Sequence, residues 1–207
     1  MGKGGSYHHG DLRAALVEAS LALIAERGVD ALSVAEAARR TGVSPRAPYR
    51  HFATRLDLLS ATATRAAELL AADLRTALAN DTTGDPGEAL AVTAEVYVRF
   101  VARHHAGFDL IYSEQLENHR DADLSAAGRA VMDILLPIAM DIAGHDPEAA
   151  LDLLEKHSAA AHGYAVLLHL SGFLHRARTV GLDAIATGAA EVSRTLAAAA
   201  ATAAAAR

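Results

Sequence analysis

Residues 33–52 read SVAEAARRTGVSPRAPYRHF. Ser33 followed three positions later by Glu36 is a capping box, which marks the start of a helix. Ala37 and Ala38 are small enough for a neighbouring helix to approach closely, and Gly42 supplies the turn after an end near Thr41. A further helix is expected at once, with Ser44 as its cap and Pro45 at N1, where a missing N–H is harmless. Pro48 at N4 removes a first-turn donor, so a short helix with a loosened first turn is expected, ending near His51. Val43 and Phe52 then face inward. Leu32 and Val34 anchor the unit to Leu16, Leu23 and Ile24, and the outward face carries Arg46, Tyr49, Arg50 and His51.

Charge singles out the same stretch. The chain has 207 residues and a net charge of −6. Residues 1–70 carry nine Lys/Arg against seven Asp/Glu, and residues 71–207 carry ten against eighteen. Arg39, Arg40, Arg46, Arg50 and Arg55 fall within seventeen residues that contain no acid, bracketed by Glu36 and Asp57. A local basic patch on an acidic protein fits a small nucleic-acid-reading module attached to a larger acidic body, although a solvated helix face has the same composition.

The donor chemistry assigns roles. A helix-turn-helix presents the N-terminal part of its second helix to the DNA major groove. Arg46 has the bidentate fork suited to guanine O6 and N7, and Ala47 can meet a thymine methyl. Tyr49 and His51 can donate to phosphates, and Arg50 suits base or phosphate. Ser33, Ser44 and Pro45 lie at helix starts, where free N–H groups attract anions. Arg40 belongs to the same basic face, and Arg55 is placed as a phosphate anchor.

The remaining composition points to an all-α protein. Hydrophobic residues make up 52 % and aromatics 4 %, and 50 residues are Ala, the best helix former. The absence of Cys excludes disulfides, a thiolate zinc site and a Cys nucleophile. The segment MGKGGSYHHGDL has no apolar core, so it is not read as a signal peptide, and no run of about 18 apolar residues suggests a membrane span. A soluble cytoplasmic protein that does not engage a membrane is expected. Residues 1–6 read as a flexible tail. About nine helices are expected: near 11–27, 33–41, 44–51, 54–80, 85–104, 108–118, 122–142, 146–170 and from 183 into the Ala tail. Pro137 is expected to kink the seventh, and residues beyond Ala200 to fray.

The longer run YHHGDLRAALVEASLALIAERGVDALSVAEAARRTGVSPRAPYRHFATRLDLL resembles the N-terminal domain of TetR-type transcriptional regulators, over roughly residues 7–65. A weaker similarity covers HSAAAHGYAVLLHLSGF (157–173). Its His162–Gly163 pair matches certain TetR-type C-terminal domains, with Ser158 where those carry a Trp. The resemblance implies a homodimer, a helix-turn-helix domain at 7–65 with its motif at 33–52, and a ligand-binding and dimerisation domain at 66–207. It also implies repression from a double-stranded DNA operator, relieved by a small molecule.

Six of the nine aromatics lie beyond residue 90. Tyr97 and Phe100 share one helix face, and Phe108 and Tyr112 another. With Met132, Leu136 and His162 they suit either a partly apolar effector cavity or an ordinary bundle core; the resemblance favours the cavity. Eleven His residues raise the alternative of a metal-sensing regulator, yet no H-x-x-x-H or H-E-x-x-H pair occurs. No cofactor and no metal are expected. Ser158 and His162 at i, i+4 lack a third group for hydrolysis, so catalysis is not expected. The Ala- and Leu-rich helices at about 147–170 and 183–205 are expected to form a four-helix dimer interface. The remaining alternative is a helical binding module that does not engage DNA.

Overall fold

Helix α1 (His9–Arg27) opens the chain in a computed structural model that describes residues 9–119, 121–170 and 181–206. Leu16, Leu23 and Ile24 on α1 are fully buried, as their spacing predicts. Gly28 ends α1 with φ +80° and returns its N–H to the Ile24 carbonyl at 2.8 Å. A 3₁₀ turn at Val29–Ala31 leads to α2 (Val34–Arg40), followed by α3 (Arg55–Asn80), α4 (Pro86–His104), the single-turn α5 (Phe108–Ile111) and a 3₁₀ turn at Glu114–His119. Helices α6 (Ala122–Ile142), α7 (Pro147–Gly163) and α8 (Leu182–Ala205) complete the fold, with a π-helical segment at Tyr164–Leu170 extending α7. The described residues contain no strand. The all-α class therefore holds.

Local chemistry explains most boundaries. Thr54 and Asp57 cap α3 reciprocally: Asp57 N donates to Thr54 Oγ1 at 3.1 Å, and Thr54 N donates to Asp57 Oδ2 at 2.8 Å. The Asp146 carboxylate accepts from the N–H groups of Glu148 and Ala149 at the start of α7.

Three expected helices change form. The one at 44–51 is reduced to a 3₁₀ turn at Ala47–Arg50. The one at 108–118 breaks after Ile111, where the Ser113 hydroxyl accepts the Gln115 N–H and starts a separate turn. The one ending near 170 passes from α to π geometry at Tyr164. Pro137 lies inside a helix assigned without interruption from Ala122 to Ile142, and α8 stays helical to Ala205 instead of fraying past Ala200. The tail at 1–6 lies outside the described residues.

The chain divides into two compact units: residues up to Ala66 with His104–Ala126, and Ala67–Arg103 with the chain from Ala127 onward. The resemblance implies one boundary at residue 65, and His104–Ala126 group with the N-terminal residues in the first unit. In the first unit the buried core includes Leu16, Ile24, Leu32, Phe52, Leu58, Ile111 and Leu116. In the second, α7 packs against α8, which buries Ala186, Ala189, Ala190 and Ala197. Gly188 has a matching reason: a Cβ there would come within 2.7 Å of the Tyr164 ring.

Candidate nucleic-acid interface

The helix-turn-helix motif is held by backbone chemistry. Ser33 Oγ accepts the Glu36 N–H at 3.0 Å, which is the forward half of the expected capping box. The Glu36 carboxylate is turned toward arginines. Gly42 reverses the chain at φ +71°, and Val43 N donates to the Ala38 carbonyl at 3.1 Å. The small, fully buried Ala37 and Ala38 seat α2 against α1.

The second element of the motif follows from its prolines. Pro45 and Pro48 both lack a donor, and a proline ring at 48 opposes continuation of an α-helix from the carbonyl four residues earlier. The chain therefore uses shorter bonds: Ala47 N donates to Ser44 O at 3.0 Å, and His51 N to Pro48 O at 2.8 Å. Pro48 and Phe52 are buried and hold the turn down. The Arg13 guanidinium lies 5.4 Å from the Phe52 ring centroid, a cation–π contact that covers the anchor. Ser44, Pro45, Arg46, Tyr49 and Arg50 are exposed, with Tyr49 at 55 %. Ala47 and His51 are half-buried.

Folding redistributes the five arginines of the acid-free window. The Arg39 guanidinium clasps Glu36 through two bonds of 2.8 and 2.7 Å. Arg40 donates to Glu26 of α1 at 2.8 Å and reaches Glu36 at 3.4 Å. These cations hold the Glu36 carboxyl well below the usual range, at about 2, with the Arg39 bond the largest cause. Arg55 is directed into the fold: its Nε donates to the Leu32 carbonyl at 2.8 Å and its Nη2 to the Val29 carbonyl at 3.0 Å. Arg40, expected on the basic face, is thus paired with acids, and Arg55, expected as a phosphate anchor, donates to two backbone carbonyls. Arg46 and Arg50 remain exposed beside Tyr49. Glu26 was not legible as a partner, since its contact crosses from α1 to α2 over fourteen positions.

The segment at 113–121 is tied to the first turns of α3. His119 Nε2 lies 2.6 Å from Asp57 Oδ1, Ser60 Oγ donates to Asp121 Oδ2 at 3.2 Å, and Gln115 Oε1 accepts from Arg55 at 3.5 Å. The His119 bond, followed by the Thr54 N–H, lowers the Asp57 pKa. Arg13, His51, Asp57 and His119 line a cleft of about 290 Å³ beside these contacts.

The seven expected effector residues are divided between the units. Phe108 and Tyr112 belong to the N-terminal unit, their ring centroids 6.0 Å apart. Tyr97, Phe100, Met132, Leu136 and His162 belong to the other. Tyr97 and Phe100 are 3 % and 1 % exposed, so both are core rings, and Met132, Leu136 and His162 are half-buried. The Tyr97 hydroxyl meets His162 Nδ1 at 2.7 Å. A cleft of about 350 Å³ in this unit lies elsewhere, against Pro86, Glu88, Ile142, Arg194 and Ala197. The buried polar triad of this unit was not foreseen. His157 Nδ1 lies 3.0 Å from Ser193 Oγ and its Nε2 3.2 Å from Thr93 Oγ1. Ser193 donates to the Ala189 carbonyl and Thr93 to the Leu90 carbonyl, so both hydroxyl oxygens are left to accept, and the neutral ring donates to one of them. Burial pushes its pKa down to about 4.

Among the described residues no three His, Asp or Glu side chains gather as a metal site, and no helix is long and apolar enough to cross a membrane.

Residues 16–62 match the family described as bacterial regulatory proteins, tetR family. Residues 90–193, half of the chain, match the tetracyclin repressor-like, C-terminal domain. The HTH-type transcriptional activator FasR of Mycolicibacterium smegmatis is 32 % identical over 100 residues. That match covers 48 % of this chain and 45 % of the relative, less than half its length. A protein of unknown function from Rhodococcus sp. RHA1 has a similar structure, with a TM-score of 0.71 and 28 % identity over 92 % of this chain and 97 % of that one. A tetR-family transcriptional regulator from Streptomyces coelicolor shares the fold, with a TM-score of 0.71 and 22 % identity over 95 % and 84 % of the two chains.

Proposed function

The chain belongs to the TetR family of transcriptional regulators, and from that premise we propose that it binds a pseudo-palindromic DNA operator as a homodimer and leaves it when a small molecule binds the C-terminal unit. One observation carries the reading: the turn at 44–51 exposes Arg46, Tyr49 and Arg50 together on a short element anchored by buried Pro48 and Phe52. A guanidinium fork on such a protrusion suits the acceptor edge of guanine, and the Tyr49 hydroxyl suits a phosphate oxygen. Ala47 is the candidate for a thymine methyl. Ser33, Ser44, Pro45 and His51 shape the turn and its edges.

A dimer places two such turns on successive major-groove faces, about 34–36 Å apart. Helices α7 and α8 support the pairing. Their inner faces pack on one another, while Leu151 of α7 stays 54 % exposed, Ala184 of α8 is exposed, and Ala198 and Ala201 are exposed at the cleft beside Pro86 and Ile142. Small side chains of this kind permit close approach of a second pair of helices. Helix α3 contributes residues to both units, since the division falls between Ala66 and Ala67. That continuity supports α3 as the element through which an effector alters operator affinity, with a coupling of about 1–3 kcal/mol.

Repression is the working sign, because occupancy of a promoter suffices for it. FasR is named an activator, so the sign is read by experiment. A mobility-shift titration on the gene's own upstream region against random duplex, over a salt series, tests the binding; a reporter driven by that region tests the sign. Selective retention of the upstream fragment is expected. Equal affinity for both duplexes at matched salt would remove the proposal.

A further inference from the structure

We propose that a groove between α3, α4 and α6 in the C-terminal unit is a binding site for a lipophilic organic cation. Binding there is independent of the operator reading above, and no DNA enters its test. The groove has a volume of about 340 Å³ and is walled by Leu78 of α3, Pro86 and Ala89 of α4, and Ile134 and Ile138 of α6. The two isoleucines are four positions apart, which sets them on one face of α6. All of these wall residues are half-buried, so the wall still meets solvent and an apolar occupant would complete its burial.

The rim carries one sign of charge. Asp81, Asp85 and Asp141 line the groove, and its lining includes no Lys, Arg or His. The first two lie on the turn from α3 to α4, which passes through Gly84 at φ +67°. Asp81 Oδ1 accepts from the N–H and the hydroxyl of Thr83 at 3.0 and 2.8 Å, and Asp85 Oδ1 accepts the Gly87 N–H at 2.8 Å. The counter-charges are the N-terminus of α4 at Asp85 and His145, whose Nδ1 lies 3.9 Å from Asp141 Oδ1. A neighbouring cleft shares Asp85, Pro86 and Asp141, and its arginine, Arg194, is already bonded to Glu88 at 2.6 Å. A cleft of one sign with low-dielectric walls concentrates ions of the other sign. The carboxylates oppose an anion. A metal ion needs converging ligands, and among the described residues no three His, Asp or Glu side chains gather to hold one. The volume suits a small molecule. A cation shielded by apolar groups matches wall and rim together: its apolar groups meet the isoleucines while its charge stays near the carboxylates.

Tetraphenylphosphonium and tetraphenylborate share a shape and differ in the sign of their charge, so together they separate this site from general hydrophobic adsorption. Calorimetric titration of the full-length protein is expected to show saturable binding of the phosphonium, one per chain, and binding of the borate at least about tenfold weaker. Methyl NMR is expected to place the largest shifts at Leu78, Ile134 and Ile138. Asp81→Asn combined with Asp141→Asn should weaken phosphonium binding about tenfold. Ile138→Ser should weaken it about fivefold by removing part of the wall. Glu117→Gln combined with Asp123→Asn removes the same charge from the other unit and should leave binding unchanged. Equal affinity for both ions, no saturable phosphonium binding, an equal loss in both paired variants, or largest methyl shifts elsewhere would overturn the proposal. Thermal melts report folding; if the Asp81→Asn, Asp141→Asn protein is unfolded, the two-ion comparison and the methyl shifts on wild type decide.

Discussion

Both units carry charged pairs at the surface, and they differ in that only the C-terminal one, among the described residues, buries an ionisable side chain. In the N-terminal unit the charged pairs are at the surface: Arg39 with Glu36, Arg40 with Glu26 and Arg65 with Glu18. Its helices α2 and α3 start at side-chain caps, and its exposed turn keeps two arginines available. In the C-terminal unit a His is buried between two hydroxyls, Thr93 and Ser193, on helices that otherwise meet through Ala and Leu. Surface charges exchange readily with solvent or a ligand. A buried polar group bonded on both sides is expensive to disturb. The contrast assigns recognition to the first unit and rigidity to the second, and each half of that assignment can be broken separately.

The largest effect is expected at the exposed turn. Replacing Arg46 and Arg50 together by Ala should weaken operator binding by about a thousandfold, since each bidentate base contact contributes about 1–3 kcal/mol. The melting temperature should stay within about 2 °C, because exposed substitutions of this kind rarely change stability by more than 0.5 kcal/mol. Arg46→Ala alone should also relax base preference near one position of each half-site. A large fall in melting temperature would show that these side chains serve the fold.

Next comes the acid response of the buried His. His157 titrates at about 4 in the fold against an ordinary value near 6.5. Between those values the unfolded chain binds more protons than the folded one, so stability rises with pH through the window and is lost on acidification. The loss should approach about 3 kcal/mol below pH 4, on top of a general carboxylate contribution. Denaturant midpoints of wild type and His157→Gln from pH 7 to 4 measure it. Equal pH dependence in both proteins would contradict the assignment.

Thr93→Val should cost about 1–3 kcal/mol by leaving His157 Nε2 without its hydroxyl. Operator affinity of the folded protein should not change, which sharpens the division between rigidity and recognition. Smallest is Thr54→Ala, which removes one half of the α3 cap and should lower stability by about 1 kcal/mol in thermal melts. If it weakens DNA binding as well, the N-terminus of α3 helps set the turn.

The helices at 9–27, 55–80, 86–104 and 122–142 were legible because their signals are local: apolar spacing, caps and flanking Gly or Pro. The motif at 33–52 was legible for the same reason. Two features were not. The spacing predicts that Pro48 loosens one turn of a helix, whereas its ring also opposes the Ser44 carbonyl four residues earlier, and the segment closes into 3₁₀ bonds instead. The arginine window looked uniformly free because its neighbours in sequence carry no acid, yet Glu26 on α1 folds back onto Arg40.

Composition and local pattern determined that this chain is helical, that residues 33–52 form a turn-linked pair, and which side chains compete to face a ligand. Those properties depend on neighbours within a few positions. Which arginines stay available, and which His becomes buried and neutral between helices, was decided only in the folded chain. Ion pairing and desolvation depend on distances between residues fourteen to sixty-four positions apart, and no local pattern carries those distances.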